Sequence, residues 1–170
     1  VLKALKSPSR SIKNFENFEV SRPWDAITSY TAPLNNPEEF EVYPNRDSIP
    51  FIEQYIFDRN WKIKQFVRGT LRLKGWAQAW ASIFNEIETL NGQAGEKRLI
   101  EMSEQFWRDN AYAENEPDRV ILCVDLKAEE DNHVIWHKTY KMDAWGDTQG
   151  TAMARLVSHP VSFAVKAIID

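Results

Sequence analysis

The sequence predicts an α+β fold, a mixed and largely antiparallel sheet covered by helices. Three observations lead there. DRVILCVDLKAEE and NHVIWHKTYKMDAW flank a tight acidic turn at Glu130-Asp131-Asn132, which reads as an antiparallel hairpin. WAQAWASIFNEIETL places Trp76, Ala79, Trp80, Ile83, Phe84, Ile87 and Leu90 at helical 3–4 spacing. Strands and helices follow one another without the regular strand–helix repeat of a parallel sheet. With no internal repeat, low-complexity segment or composition break, residues 1–170 read as a single domain. VLKALK opens without an initiator methionine and FAVKAIID closes without a C-cap glycine, so the expectation is a piece of a longer chain.

Along the chain, VLKALK reads as a short helix and SPSRS as a polar turn. ENFEV (16–20) reads as a strand, PWDAI as a helical turn and TAPLNNPEE as a loop. Phe40 and Val42 alternate with Glu39, Glu41 and Tyr43 in a strand over 39–43. A helix over 49–57 follows, with Asp47 or Ser48 as its cap and Pro50 in its first turn. WKIKQFVRGTLRL (61–73) alternates as one long strand, with Arg68, Thr70 and Arg72 on one face. Gly69 in its middle signals a bulge or a close approach. After the helix over 76–90, NGQAG reads as a loop, EKRLIEMSEQFWRD as a second helix and NAYAENEPD as a linker. The tail reads as a glycine-rich turn, GDTQG, then a helix from Thr151 that breaks at Ser158-His159-Pro160, then a last helix.

Composition excludes several classes. Lys and Arg number 21 against 25 Asp and Glu, a net charge of −4, which argues against a bulk electrostatic grip on nucleic acid. No apolar run approaches the roughly 20 residues that span a bilayer, and no secretory signal pattern opens the chain, so no membrane partner is expected. The single cysteine, Cys123, lies in an apolar run and reads as a core residue, and its usage fits a reducing, cytoplasmic compartment. His133, His137 and His159 lack metal-ligand spacing, so no metal is expected. No G-x-G-x-x-G, P-loop or G-x-S-x-G motif occurs.

What stands out is a local set of cations in an acidic chain. Arg46 sits where a strand hands over to a helix, in YPNRDS, and Arg68, Thr70 and Arg72 share a strand face in VRGTLRL. Guanidinium forks bind carboxylates bidentately, and a hydroxyl can complete such a site. A small molecule with several carboxylates suits the set. The alternative role for these arginines is to pair with the many Asp and Glu as surface salt bridges.

VYPNRDS, FVRGTLRLKGW and TAMARLVSHPVSFAVKAII, in that order, resemble the saccharopine dehydrogenase (glutamate-forming) family, also called saccharopine reductase. The resemblance touches most of the chain, and YPNRDS together with RGTLR is specific. It implies a second, substrate-binding α+β domain that supports homodimer formation, similar in fold to the catalytic domain of glyceraldehyde-3-phosphate dehydrogenase. The NAD- or NADP-binding Rossmann domain would lie outside this chain, so the fragment alone would be inactive. Carried over by residue, Arg46 would bind a substrate carboxylate, and Thr70, Leu71 and Arg72 would supply further contacts; no residue acts as a nucleophile. The substrate implied is saccharopine, a lysine joined to glutamate through a secondary amine, within lysine metabolism. Departures are Leu73 where the family often has Tyr, Leu156-Val157-Ser158 where it often has Thr-Val-Gly, and the stretch around NGQAGEKRLIEMSEQFW. They keep open a carboxynorspermidine or lysine dehydrogenase-like enzyme, or a non-catalytic dimerisation domain.

Overall fold

A short helix, α1 (Leu2–Leu5), leads into β1 (Ser9–Lys13) and β2 (Glu16–Val20). The structure, a computed structural model, describes residues 2–170. Asn14 and Phe15 both take positive φ, the two-residue turn that matches the twist of a hairpin. β1 stands where the sequence predicts a polar turn, because its inward residues are Ser9 and Ser11, 1% and 4% exposed, and small buried hydroxyls leave no apolar alternation. A 3-10 turn at Pro23–Ala26 precedes β3 (Thr28–Ala32), another strand without an apolar pattern, and then β4 (Glu38–Pro44).

The expected strand over 61–73 is two strands, β5 (Gln65–Phe66) and β6 (Gly69–Leu73). They serve different sheets, β2-β1-β5 and β3-β4-β6. The chain leaves the ladder at Arg68, whose N–H donates to Ser48 Oγ (3.0 Å) and whose carbonyl accepts from Asn45 N–H (2.7 Å). Gly69 is required as expected: a Cβ there would stand 2.7 Å from Val42 Cγ2 across the ladder.

Other boundaries move as well. The helix expected over 49–57 is α2 (Pro50–Gln54). Asp47 accepts from Ile49 N–H (3.0 Å), while Ser48 is spent on Arg68. The helix expected over 76–90 divides at Trp80 into α3 (Trp76–Ala79) and α4 (Ala81–Thr89). NGQAG is not a loop but opens α5 (Gly92–Asp109), where Gly95 packs against the Leu90 backbone.

The chain divides into two compact units, Val1–Thr31 with Glu39–Asp109, and Ala32–Glu38 with Asn110–Asp170. The first holds an aromatic-rich core: Leu2, Leu5, Tyr43, Trp76, Phe84, Ile87, Leu99 and Met102. Trp76 is its hub, with ring centroids 5.3 Å from Tyr43, 5.0 Å from Trp80 and 5.2 Å from Phe84.

The second unit is built on β7 (Arg119–Glu130) and β8 (His133–Trp145), paired antiparallel across Asp131 and Asn132, both at positive φ. Register places Val120, Leu122, Val124, Leu126 and Ala128 opposite Ala144, Met142, Tyr140, Lys138 and Trp136, one almost wholly apolar face. Leu122, Tyr140 and Trp136 on that face are about half exposed. Cys123 is half-buried, not a core residue, because a two-stranded ribbon leaves both faces open.

α6 (Ala152–Ile169) follows as one helix through Pro160. The break expected there does not occur: Pro160 removes one N–H from the ladder, and the helix runs on through it from a capped N-terminus. Thr151 Oγ1 accepts from Ala154 N–H (3.1 Å), and the Asp118 carboxylate accepts from Ala152 and Met153 N–H (2.7 and 2.8 Å). Unbroken, this helix is 18 residues long and apolar enough to cross a membrane by length and composition, the one such helix among the described residues.

Candidate functional site

The site forms where the end of β4 meets the start of β6. Register sets Tyr43 opposite Thr70 and Pro44 opposite Gly69, so YPNR and RGTLR, more than twenty residues apart, become neighbours. Together with the α2 start they enclose a cleft of ≈ 600 Å³ lined by Tyr43, Asn45, Arg46, Asp47, Phe51, Arg68, Thr70, Arg72 and Ala4. Of the expected contact residues, Arg46, Thr70 and Arg72 line it. Leu71 does not: it falls on the other parity of β6, paired with Val42, and its carbonyl accepts from Arg72 Nη1 (3.4 Å).

Arg46 takes φ +55°, a left-handed conformation uncommon for a residue with a side chain. β1 holds it there. Arg10 N–H donates to the Arg46 carbonyl (3.1 Å), and Ser48 N–H donates back to the Arg10 carbonyl (2.8 Å). The Arg10 guanidinium also pairs with the Asp47 carboxylate, Nε at 3.0 Å, and this hydrogen bond holds the Asp47 carboxyl below its ordinary value. The turn is therefore fixed and the Arg46 side chain is left exposed.

Arg72 is placed by aromatic neighbours. Its Nη2 donates to the Tyr43 hydroxyl (3.1 Å), and its Cζ stands 5.6 Å from the Tyr43 ring centroid and 5.4 Å from that of Trp76. Glu41 lies directly opposite Arg72 in the ladder, yet its two oxygens accept from Gly75 and Ala77 N–H (2.9 and 2.7 Å) at the start of α3. Asp47 is likewise committed to Arg10 and Ile49 N–H. Among the described residues no ion pair involves Arg46, Arg68 or Arg72; Arg10, Arg22, Arg98, Arg119 and Arg155 all make one. The surface-salt-bridge role thus falls to other arginines, and the guanidiniums lining the cleft have no carboxylate partner among the described residues.

The sequence reading named neither Tyr43 nor Asn45 nor Phe51 as lining residues. The signal for Tyr43 is present, since it shares the parity of Glu41 on β4, but pairing it with Thr70 needs the register. Tyr43→Phe is expected to keep the strand pairing and to lower stability by about 1 kcal/mol, the net worth of the hydrogen bond that Arg72 Nη2 donates. Thermal denaturation, with circular dichroism as the fold control, checks this.

The profile of the Saccharopine dehydrogenase C-terminal domain family matches residues 1–170. The chain belongs to that family. No curated protein sequence matches it. Among solved structures it is similar to the apo form of saccharopine dehydrogenase (L-Glu forming) from Saccharomyces cerevisiae, with 18% identity and a TM-score of 0.73 over 99% of this chain and 52% of that one. The likeness shows a shared fold, and the chain spans about half the length of that structure. In this saccharopine dehydrogenase C-terminal domain, the departures noted above occupy distinct places. Leu73 is an exposed residue at the end of β6, whereas α5 contributes Leu99 and Met102 to the core.

Proposed function

We propose that this chain is the substrate-binding domain of a nicotinamide-dependent oxidoreductase that oxidises or forms the secondary-amine C–N linkage of saccharopine in lysine metabolism. The observation that carries the reading is one cleft lined by Arg46, Arg68 and Arg72, whose neighbouring carboxylates Glu41 and Asp47 are committed to other partners. Saccharopine carries several carboxylates, and fixed guanidinium forks would hold it with its bridging amine carbon presented outward. Thr70 adds a hydroxyl to the same cleft, between Arg68 and Arg72 in the chain. Orientation and electrostatics are the whole contribution of these residues, and no metal or protein nucleophile is needed.

NADP or NAD supplies the hydride chemistry when bound. The described strands hold no parallel βαβ unit, and the glycine-rich turn GDTQG leads to a helix N-terminus whose amides Asp118 and Thr151 already take, so this chain does not fit a dinucleotide pyrophosphate. Cofactor binding is assigned to a Rossmann domain elsewhere in the full-length protein, and the 170-residue chain alone is expected to show no turnover. The working state is a cytoplasmic homodimer. The exposed apolar face of the β7–β8 ribbon supports it, since a two-stranded sheet is marginal without a packing partner.

The test assays the full-length parent with saccharopine, lysine and carboxynorspermidine against both cofactors, with light scattering for the oligomer. Turnover of saccharopine alone supports the reading. Turnover of lysine or carboxynorspermidine instead moves the protein to another branch of the fold, and no turnover of any makes it a dimerisation domain.

A further inference from the structure

The geometry points to Arg68, seated on Phe51, as a third carboxylate-reading cation that makes the cleft selective for a ligand with three carboxylates. This rests on the reading above and deepens it. Residue pattern places Arg68 in the cationic set with Arg46, Thr70 and Arg72, while the family resemblance assigns substrate contacts only to Arg46, Thr70, Leu71 and Arg72.

Four features single it out. Its backbone is pinned on both sides, N–H to Ser48 Oγ (3.0 Å) and carbonyl from Asn45 N–H (2.7 Å), with Ser48 fully buried. Its Cζ lies 3.6 Å from the Phe51 ring centroid, a close stack in which the ring supports the flat guanidinium from one side. Stacking uses the face of the guanidinium and leaves its in-plane N–H fork free, and among the described residues no hydrogen bond or ion pair takes that fork. Both Arg68 and Phe51 line the same cleft as Arg46 and Arg72. Phe51 stands in the first turn of α2, whereas Tyr43 and Trp76 flank Arg72. The Arg72 guanidinium is therefore held by Tyr43 and Trp76 and that of Arg68 by Phe51, while for Arg46 it is the backbone of the Arg10-bonded turn that is fixed.

A fork that is rigid, desolvated on one face and unpaired discriminates by charge and shape. A ligand with a carboxylate at that point gains a charge-assisted contact, and one with a neutral group there leaves the cation unmatched. Saccharopine offers three carboxylates to the three cations of the cleft, whereas lysine offers one.

The experiment uses the full-length protein as parent, Arg68→Gln, Arg68→Lys and Phe51→Leu, with saccharopine and its three monoamides, each of which replaces one carboxylate by a neutral amide. Arg68→Gln is expected to raise KM for saccharopine by tenfold or more while kcat stays within about threefold, with Arg68→Lys and Phe51→Leu in between. For one monoamide, the parent's preference for saccharopine should fall from tenfold or more to below threefold in Arg68→Gln, while preferences against the other two persist. A support role confined to packing would leave all three preferences unchanged, and that result overturns the assignment while the saccharopine reading stands. If the parent neither binds nor oxidises saccharopine, the reading and this inference fall together.

Discussion

Arg46→Ala and Arg72→Ala in the full-length protein are each expected to lower kcat/KM for saccharopine about a hundredfold, about 3 kcal/mol of transition-state stabilisation. The magnitude follows from where the two cations stand. Truncating one partner of a desolvated arginine–carboxylate pair costs about 2–5 kcal/mol, and an open cleft with an exposed Arg46 places the loss in the lower part of that range. Neither variant should disturb the fold. Arg46 contributes its carbonyl, not its side chain, to the bond from Arg10, and Arg72 sits on an edge strand with its guanidinium against Tyr43 and Trp76. Arg46→Lys and Arg72→Lys should recover part of the activity, because charge returns without the fork. Steady-state kinetics on all four variants, with thermal denaturation as the control, makes the comparison. Activities within threefold of the parent would reduce Arg46 to a turn residue and leave the likeness to saccharopine dehydrogenase one of fold alone.

Gly146→Ala is expected to destabilise the chain by about 2 kcal/mol, an overpacking cost, and to lower Tm by about 4–8 °C. The added Cβ would enter contact distance of Asp118 Oδ1 and stand 3.3 Å from Thr151 Cα. Those atoms cap α6. Displacing the Asp118 carboxylate frees the Ala152 and Met153 amides and strains the bond from Gly146 N–H to the Asp118 carbonyl (2.8 Å). The cap leaves a signature in pH. The Met153 and Ala152 amides hold the Asp118 carboxyl below its ordinary value of 3.8. A carboxylate lowered in this way contributes its stability above the ordinary value and loses it as pH falls through the folded value. The Tm gap between Gly146→Ala and the parent should therefore narrow in acid. A gap that is constant across pH would place the damage in backbone strain rather than in the cap.

Much of this was legible from residue order. The β7–β8 ribbon and its acidic turn follow from long alternating runs around Asp131-Asn132, where period-2 patterning and a turn that favours positive φ agree. β4, Gly69 as a point of close approach and the shared parity of Thr70 and Arg72 follow from the same periodicity, whereas Arg68 lines the cleft from outside β6. β1 escaped because its buried residues are serines, and the strand over 61–73 was overextended because alternation does not reveal which neighbour each half pairs with. Pro160 carried a helix-breaking signal that α6 overrides, and Cys123 looked buried because an apolar run does not say whether anything covers it.

The sequence by itself determined the α+β class, the family-bearing motifs YPNRDS and RGTLR, and which side chains bring cationic chemistry, because these depend on residue type and local period. Only the tertiary structure decided that Tyr43 meets Thr70, that Glu41 and Asp47 are spent on backbone amides and Arg10, and that Phe51 comes under Arg68. The reason is physical. Whether a cation is free to bind a ligand depends on where the nearest carboxylates are committed, and that is fixed by strand register and capping across residues far apart in the chain.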